Sequence, residues 1–214
     1  MRLENVDWSL YVITDARLAQ GRSHLEVIEA AIKGGATVVQ YREKEATTKK
    51  MIEEARVLKA LCHKKGIPFI VNDRVDVALA VDADGVHLGD DDMPVGIARR
   101  LLGPDKIIGA SADSVEKALL YSKEGADYLG VGSVFATSTK PDAGEPIGLE
   151  KLSRIVRAVS IPVVAIGGIN EDNVAEVIRT GVAGVAVVSA IVAADDVEEA
   201  ARKLMEKIRQ ARGE

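Results

Sequence analysis

The sequence is poor in cysteine and in aromatic residues. The first shortage excludes an intrachain disulfide, and the second argues against a core rich in aromatic side chains. With one cysteine, Cys62, among 214 residues, the chain cannot form an intrachain disulfide, which is typical of a protein in a reducing compartment. Aromatic residues make up 3% of the chain and hydrophobic residues 47%, so we expect a core of Val, Ile, Leu and Ala. Cys62 shares a helical spacing with Met51, Ala55 and Leu58, which predicts a buried, inert side chain rather than a nucleophile.

Long hydrophobic runs and an excess of positive charge are also missing. No run approaches the roughly 18 apolar residues of a membrane-spanning helix, and residues 1–7 lack the apolar segment of a secretory signal. The formal net charge of −5 argues against a general nucleic-acid-binding protein, although it leaves room for a local basic pocket. We therefore expect a cytoplasmic protein with neither a membrane nor a nucleic acid as partner.

What the chain does contain is a regular alternation of short apolar runs and longer segments with helical spacing. Most of the runs are continuously apolar, which is typical of parallel strands covered on both sides. Each strand-and-helix unit takes about 27 residues, which predicts a single (β/α)₈ (TIM) barrel over residues 1–214, with a doubly wound open sheet as the alternative. The predicted strands are Leu10–Thr14, Thr37–Arg42, Pro68–Asn72, Gly85–Gly89, Lys106–Ser111, Tyr128–Gly132, Pro162–Gly167 and Gly184–Ser189.

The ends of the second and third predicted strands are polar, and in such barrels the strand ends carry the chemistry. Gln40, Arg42 and Lys44 alternate along one face, where an amide and two cations are suited to bind an anion. The third strand ends in Asn72 and Asp73, which would either cap the next helix or direct a carboxylate into the barrel mouth.

A run of three carboxylates, Asp90, Asp91 and Asp92, follows the fourth predicted strand. If Asp92 meets Asp73 from the neighbouring strand, the two supply the oxygen ligands that Mg²⁺ prefers. The alternative is a solvent-exposed acidic turn. His87, within the same strand, would face either the barrel interior or the helix layer.

The second half of the chain supplies hydroxyls and glycines at the strand ends. Residues 133–148 form the longest irregular stretch, which is typical of a lid or binding loop. The last two strands end in Gly167-Gly168 and Ser189, in the loops where barrels often bind a phosphate through backbone N–H groups. The other polar side chains expected at this rim are Ser111, Thr137, Thr139 and Lys140.

Taken together, these motifs resemble those of the thiamine-phosphate synthase family, in order and over nearly the whole chain. The matching segments are Gln40–Lys44, Asn72–Arg74, Asp84–Gly89 followed by Asp92, Tyr128–Gly132, Thr137–Lys140, Gly167–Ile169 and Val187–Ala190. The resemblance implies a transferase that depends on one Mg²⁺ per subunit. It would join 4-amino-2-methyl-5-(diphosphooxymethyl)pyrimidine to 4-methyl-5-(2-phosphooxyethyl)thiazole, or its carboxylated form, and release pyrophosphate. The expected partners are these two small molecules, and a homo-oligomer is left open.

The resemblance also implies roles for individual residues. Asp73 and Asp92 would be the Mg²⁺ ligands. The residues implied to bind the pyrimidine diphosphate are Gln40, Arg42, Lys44, Asn72, Ser111 and Lys140, and of these Arg42, Lys44, Ser111 and Lys140 are the expected catalytic residues. The residues implied to hold the thiazole phosphate are Thr137, Thr139, Gly168, Val188 and Ser189. Tyr41, Glu43 and Ser138, which lie within the matching motifs, complete the expected substrate-binding set.

The sequence departs from the family at two places, and two other functions remain open. Asp90 stands where the family usually has Gln, which adds a negative charge beside the metal carboxylate. Ser133 and Ala136 stand where it often has Pro, which would loosen the loop. One alternative is a thiazole tautomerase or another phosphate-binding barrel isomerase, which needs a base, and His87 is the internal candidate. The other is a non-catalytic binder of thiamine precursors.

Overall fold

A computed structural model describes residues 6–137, 139 and 145–214 of the chain. Eight parallel strands form a closed barrel in chain order, and the pairing of the first strand with the last excludes the open-sheet alternative. Each strand lies within a predicted apolar run, except that the fifth extends one residue further. The strands are β1 (Leu10–Ile13), β2 (Val38–Tyr41), β3 (Phe69–Asn72), β4 (Gly85–Leu88), β5 (Ile107–Ala112), β6 (Tyr128–Val131), β7 (Val163–Ile166) and β8 (Gly184–Val187).

The helices surround the barrel, and several begin where the sequence signals them. Ser23 and Glu26 form a reciprocal capping box at the first helix, and Thr47 caps the second. The helix after the seventh strand begins at Val174, after a turn in which the Asn170 N–H donates to Asn173 Oδ1 at 2.9 Å. The helices are α1 (His24–Lys33), α2 (Thr48–Lys64), α3 (Val75–Val81), α4 (Val95–Leu102), α5 (Val115–Glu124), α6 (Gly148–Ala158), α7 (Val174–Ile178), α8 (Ser189–Val192) and α9 (Val197–Arg212).

Two apolar layers hold the barrel together, and they differ in composition. Between strands and helices the core is mainly aliphatic, as expected, and Cys62 lies there as a buried thiol whose pKa burial raises to about 12. Inside the barrel three aromatic side chains join the expected aliphatic ones. Trp8, Tyr11 and Tyr128 pack there together, with the Trp8 and Tyr128 rings 4.4 Å apart between centroids, because a barrel interior needs few but large side chains.

Across the described ranges, the helices are too short or too polar to cross a bilayer. The alternation of strand side chains then decides which residues face the barrel interior. On β2, Val38 packs in the interior cluster whereas Val39 and Tyr41 pack in the outer layer, so Gln40 faces inward. The same alternation turns His87 on β4 inward, towards β6.

Candidate active site

A cavity of about 420 Å³ opens at the carboxyl ends of the strands. Its walls come from the whole ring, because each strand contributes an inward-facing residue near its end. These eight residues are Ile13, Gln40, Asn72, His87, Ser111, Gly130, Ile166 and Ala186. The barrel therefore brings together residues that are far apart in the sequence.

Most of the residues that the sequence singled out line this cavity. They are Gln40, Arg42, Lys44, Asn72, Asp73, Asp92, Ser111, Thr137, Thr139, Gly168, Val188 and Ser189. Two others, Ser138 and Lys140, lie outside the described residues.

The side chains of Tyr41 and Glu43 do not line the cavity. Tyr41 follows the inward-facing Gln40 and so faces outward, where its buried ring ends in a hydroxyl that donates to Glu54 Oε2 at 2.7 Å. Glu43 accepts two backbone N–H groups of its own loop and lies 3.4 Å from His24 Nε2. His24, Glu43 and Glu54 also bring three ligand atoms within 4.8 Å of one another, but the contacts within the protein account for this arrangement. The structure therefore does not bring Tyr41 and Glu43 together with the residues that line the cavity.

A buried carboxylate that the sequence reading missed holds the cation on β2. Asp15, just after β1, is 2% exposed and accepts from Arg42 Nη1 and from Arg17 Nη2, both at 2.9 Å. Burial by itself would raise the pKa of Asp15, but the hydrogen bonds from Arg17 and the charges of both guanidinium groups outweigh it and lower the pKa. Asp15 therefore stays ionised and fixes the orientation of Arg42. The sequence could have indicated Asp15 as a candidate, because it directly follows a predicted apolar run, as Asp73 does.

Asp73 and Asp92 line the same part of this cavity, close enough for the Asp73 carboxylate to act on that of Asp92. Lys44 donates to Asp73, and the backbone N–H of Gly89 donates to Asp92 at 2.7 Å. Burial, and then the neighbouring Asp73 carboxylate, raises the pKa of Asp92. Two neighbouring carboxylates beside Lys44 favour the binding of a cation. Their oxygens fit Mg²⁺, which takes one or two carboxylates together with water and phosphate oxygens.

The carboxylate of Asp90 is hydrogen-bonded to two side chains of α5. It accepts from Lys117 Nζ at 2.6 Å and from the Tyr121 hydroxyl at 2.8 Å. Burial, and then the charge of Asp90, raises the pKa of Tyr121 to about 12. Asp90 is therefore paired with Lys117 on α5, which also lies 3.2 Å from Asp113.

The opposite side of the cavity is built from glycine and hydroxyl groups. Gly168 has a φ of +66°, and a Cβ atom there would lie 2.6 Å from the carbonyl oxygen of Ala136, so only glycine fits. Asn173 Nδ2 donates to the carbonyl of Gly168 at 2.9 Å and fixes the turn. Ser189 begins α8 in the neighbouring loop, and both residues line the cavity. This geometry suits an anion that is bound by backbone N–H groups.

The chain is similar to known proteins over nearly its whole length. The family model for thiamine monophosphate synthase matches residues 10–191. The thiamine-phosphate synthase of Chloroflexus aurantiacus is 66% identical over 93% of this chain and 92% of its own length, and that of Moorella thermoacetica is 52% identical over 96% and 98%. A solved structure of thiamine phosphate pyrophosphorylase from Pyrococcus furiosus superposes with a TM-score of 0.90 at 50% identity, covering 96% of this chain and 98% of that one. The chain therefore belongs to the thiamine monophosphate synthase family.

Proposed function

We propose that this chain is a Mg²⁺-dependent thiamine-phosphate synthase that joins the pyrimidine diphosphate to the thiazole phosphate and releases pyrophosphate. The observation that supports the metal dependence is that Asp73 and Asp92 line one cavity together with Lys44, which donates to Asp73. Membership of the family supports the reaction, and the two sides of the cavity support the choice of substrates.

The β2–β4 side suits the diphosphate because its cations are already held in place. Asp15 orients Arg42, and Asp73 holds Lys44, so little side-chain freedom is lost when phosphate oxygens bind. Arg42 would supply a planar fork of donors and Lys44 a mobile point charge. Mg²⁺ held by Asp73 and Asp92 would offset further charge on the diphosphate.

The proposed reaction begins with a dissociative step. As the bond between the pyrimidine methylene and the diphosphate breaks, negative charge grows on the leaving oxygens. Arg42, Lys44 and Ser111, which line the cavity, would donate hydrogen bonds to these oxygens. Lys140, which lies outside the described residues, is expected to act with these three. The aminopyrimidine donates electrons to the methylene cation, and the thiazole nitrogen then attacks it. Because that nitrogen is unprotonated at neutral pH, the step needs no general base.

The β6–β8 side suits the thiazole phosphate. Gly168 and Ser189 lie in neighbouring loops, where backbone N–H groups and a hydroxyl can surround a monophosphate. Thr137 and Thr139 line the same side, and the backbone N–H of Thr139 donates to Thr137 Oγ1 at 3.2 Å. The two phosphates would thus bind on opposite sides of one cavity, with the reacting atoms between them.

The isomerase alternative finds no support in the contacts of its candidate base. Both ring nitrogens of His87 are hydrogen-bonded within the protein, Nδ1 to the Tyr128 hydroxyl and Nε2 to Ser111 Oγ. A base would have to give up one of these bonds in order to accept a proton from a substrate.

The test is to mix purified protein with the two phosphorylated heterocycles, with and without Mg²⁺, and to measure pyrophosphate release. We expect release only when both heterocycles and Mg²⁺ are present. Binding of both without release would identify a non-catalytic binder. A matched pair of variants locates the metal: Asp92→Asn should abolish the response to Mg²⁺, whereas Asp90→Asn, two residues away and paired with Lys117, should retain it.

A further inference from the structure

A line of four hydrogen bonds crosses the barrel interior and ends at the cavity. Gln40 Nε2 donates to the Tyr11 hydroxyl at 2.9 Å, and the Tyr11 and Tyr128 hydroxyls lie 2.7 Å apart. The Tyr128 hydroxyl lies 2.9 Å from His87 Nδ1, and His87 Nε2 lies 3.0 Å from Ser111 Oγ. The line therefore joins β2 to β5 through β1, β6 and β4.

The chemistry of the first member sets the direction of every proton along the line. An amide nitrogen only donates, so the Tyr11 oxygen accepts and its own proton turns to Tyr128. Tyr128 then donates to His87 Nδ1, which leaves the ring proton on Nε2, facing Ser111. Since the Ser111 oxygen accepts this proton, its own hydroxyl proton is available to the cavity.

The barrel is built around these side chains. A Cβ atom on Gly109 would lie 2.2 Å from Tyr128 Cζ, and one on Gly130 would lie 2.9 Å from His87 Cε1. Two glycines on neighbouring strands thus leave the space that the tyrosine and histidine rings occupy. Tyr11 and Tyr128 are at most 1% exposed, so a missing partner along the line would leave a buried polar group unsatisfied.

The tyrosines are suited to orientation and not to proton transfer. Burial raises the pKa of Tyr11 and of Tyr128 well above its ordinary value, so both hydroxyls keep their protons at neutral pH. What the line can transmit is therefore the direction of its hydrogen bonds.

We propose that His87 is a positioning residue, which holds Ser111 so that its hydroxyl donates to the diphosphate as that group leaves. Gln40, Tyr11 and Tyr128 set the direction of the hydrogen bond from His87 to Ser111 through the line of hydrogen bonds described above. The inference rests on the proposed function, because it names the group to which Ser111 donates.

The first test reads the tautomer of His87 directly and does not depend on activity. The chain has three histidines, so nuclear magnetic resonance of protein labelled at the histidine nitrogens, at mildly alkaline pH, resolves them, and His87→Gln identifies the signals of His87. We expect the proton on Nε2 in the wild type. A proton on Nδ1 with a bare Nε2 would overturn the proposal, because Ser111 would then donate to His87 and not to the cavity.

The second test is a double-mutant cycle in the pyrophosphate assay. We expect His87→Leu and Ser111→Ala each to lower kcat about tenfold, with smaller changes in KM, since a hydrogen bond to a charged group is lost. The double variant should be no slower than Ser111→Ala alone, because His87 acts through Ser111. His87→Gln should recover part of the rate, since its amide nitrogen reaches the position of Nε2. Losses that multiply in the double variant would contradict the proposal.

The control separates loss of position from loss of stability. Thr37→Val removes a partly buried hydroxyl that bonds to Leu10 at the opposite end of the barrel. It should lower the unfolding temperature without lowering kcat, whereas Tyr128→Phe should lower both. If the wild type itself releases no pyrophosphate, the proposed function fails, and the tautomer still decides whether the line has the inferred direction.

Discussion

The two sides of the cavity offer different groups to an anion. The β2–β4 side uses charged side chains that already hold one another, Arg42 with Asp15 and Lys44 with Asp73. On the β6–β8 side, the described lining residues from Gly130 to Ser189 carry no charged side chain, and glycine and hydroxyl groups take their place. A substitution on the first side therefore changes electrostatics, and one on the second changes shape. This difference makes the two sides separable by experiment.

The largest effect is expected from Asp92→Ala on the charged side. Losing one of two metal carboxylates should lower Mg²⁺-dependent turnover by about a thousandfold or more. The unfolding free energy without Mg²⁺ should not fall, because the variant also removes the repulsion between the Asp92 and Asp73 carboxylates. Pyrophosphate release and thermal unfolding measure the two effects. Retained activity would remove the metal assignment.

A smaller but still electrostatic effect is expected from Asp15→Asn. Freed from its carboxylate, Arg42 loses its orientation, and kcat/KM for the pyrimidine diphosphate should fall by about 10- to 100-fold. KM for the thiazole phosphate should stay the same. If KM for the thiazole phosphate also rose, the two sides of the cavity would not be functionally separate.

The same variant makes a pH prediction. Because the folded state lowers the pKa of Asp15 from 3.8, its carboxylate stabilises the fold fully above that pH. The contribution is lost as the pH falls through the lowered value. The stability difference between wild type and Asp15→Asn, measured by denaturant unfolding, should therefore shrink on acidification below about pH 4. A constant difference would mean that Asp15 is not ionised in the folded state.

Gly168→Ala tests the shape-based side. A methyl group would meet the Ala136 carbonyl, so KM for the thiazole phosphate should rise about tenfold, and stability should fall by about 1–3 kcal/mol. Gly66→Ala is the matched control, because Gly66 has a φ of +69° and no heavy atom within 4 Å of the added Cβ. It should show the loss of stability that comes from φ alone and leave KM unchanged.

The smallest effect is expected from Ser189→Ala. Removing one neutral hydroxyl from a site built largely of backbone should raise KM for the thiazole phosphate about three- to tenfold and leave kcat unchanged. Steady-state kinetics at saturating pyrimidine diphosphate measures this. A large loss of kcat would show that Ser189 belongs with the catalytic groups.

The two sides also differ in how well the sequence predicts them. The strands were predictable because continuous apolar runs identify buried parallel strands, and Arg42, Lys44, Asp73 and Asp92 followed from their places at strand ends. Asp15 was missed because its role depends on Arg42, which is 27 residues away in the sequence and is brought to it only by the fold. Tyr41 was expected with the substrate-binding residues but does not line the cavity. Because side chains alternate along β2 and Gln40 faces inward, the alternation alone would have placed Tyr41 on the outer side.

Contacts between distant segments were beyond the sequence. Aromatic residues are few, and their scarcity predicted an aliphatic core throughout, yet Trp8, Tyr11 and Tyr128 gather inside the barrel. Nothing in the local pattern links Tyr11 to Tyr128, which are 117 residues apart. Hydrogen bonds of that kind follow from strand order and register, and they become visible only once the barrel is closed.

The ion pair of Asp90 with Lys117 has a consequence for how this part of the rim responds to substitution. Lys117 Nζ lies 2.6 Å from a carboxylate oxygen of Asp90 and 3.2 Å from one of Asp113, so a single ammonium group serves two acids. Replacing Lys117 would take this cation from both acids, whereas replacing Asp90 would remove only one of its two partners. We therefore expect the exchange of Lys117 to disturb the rim more than the exchange of Asp90.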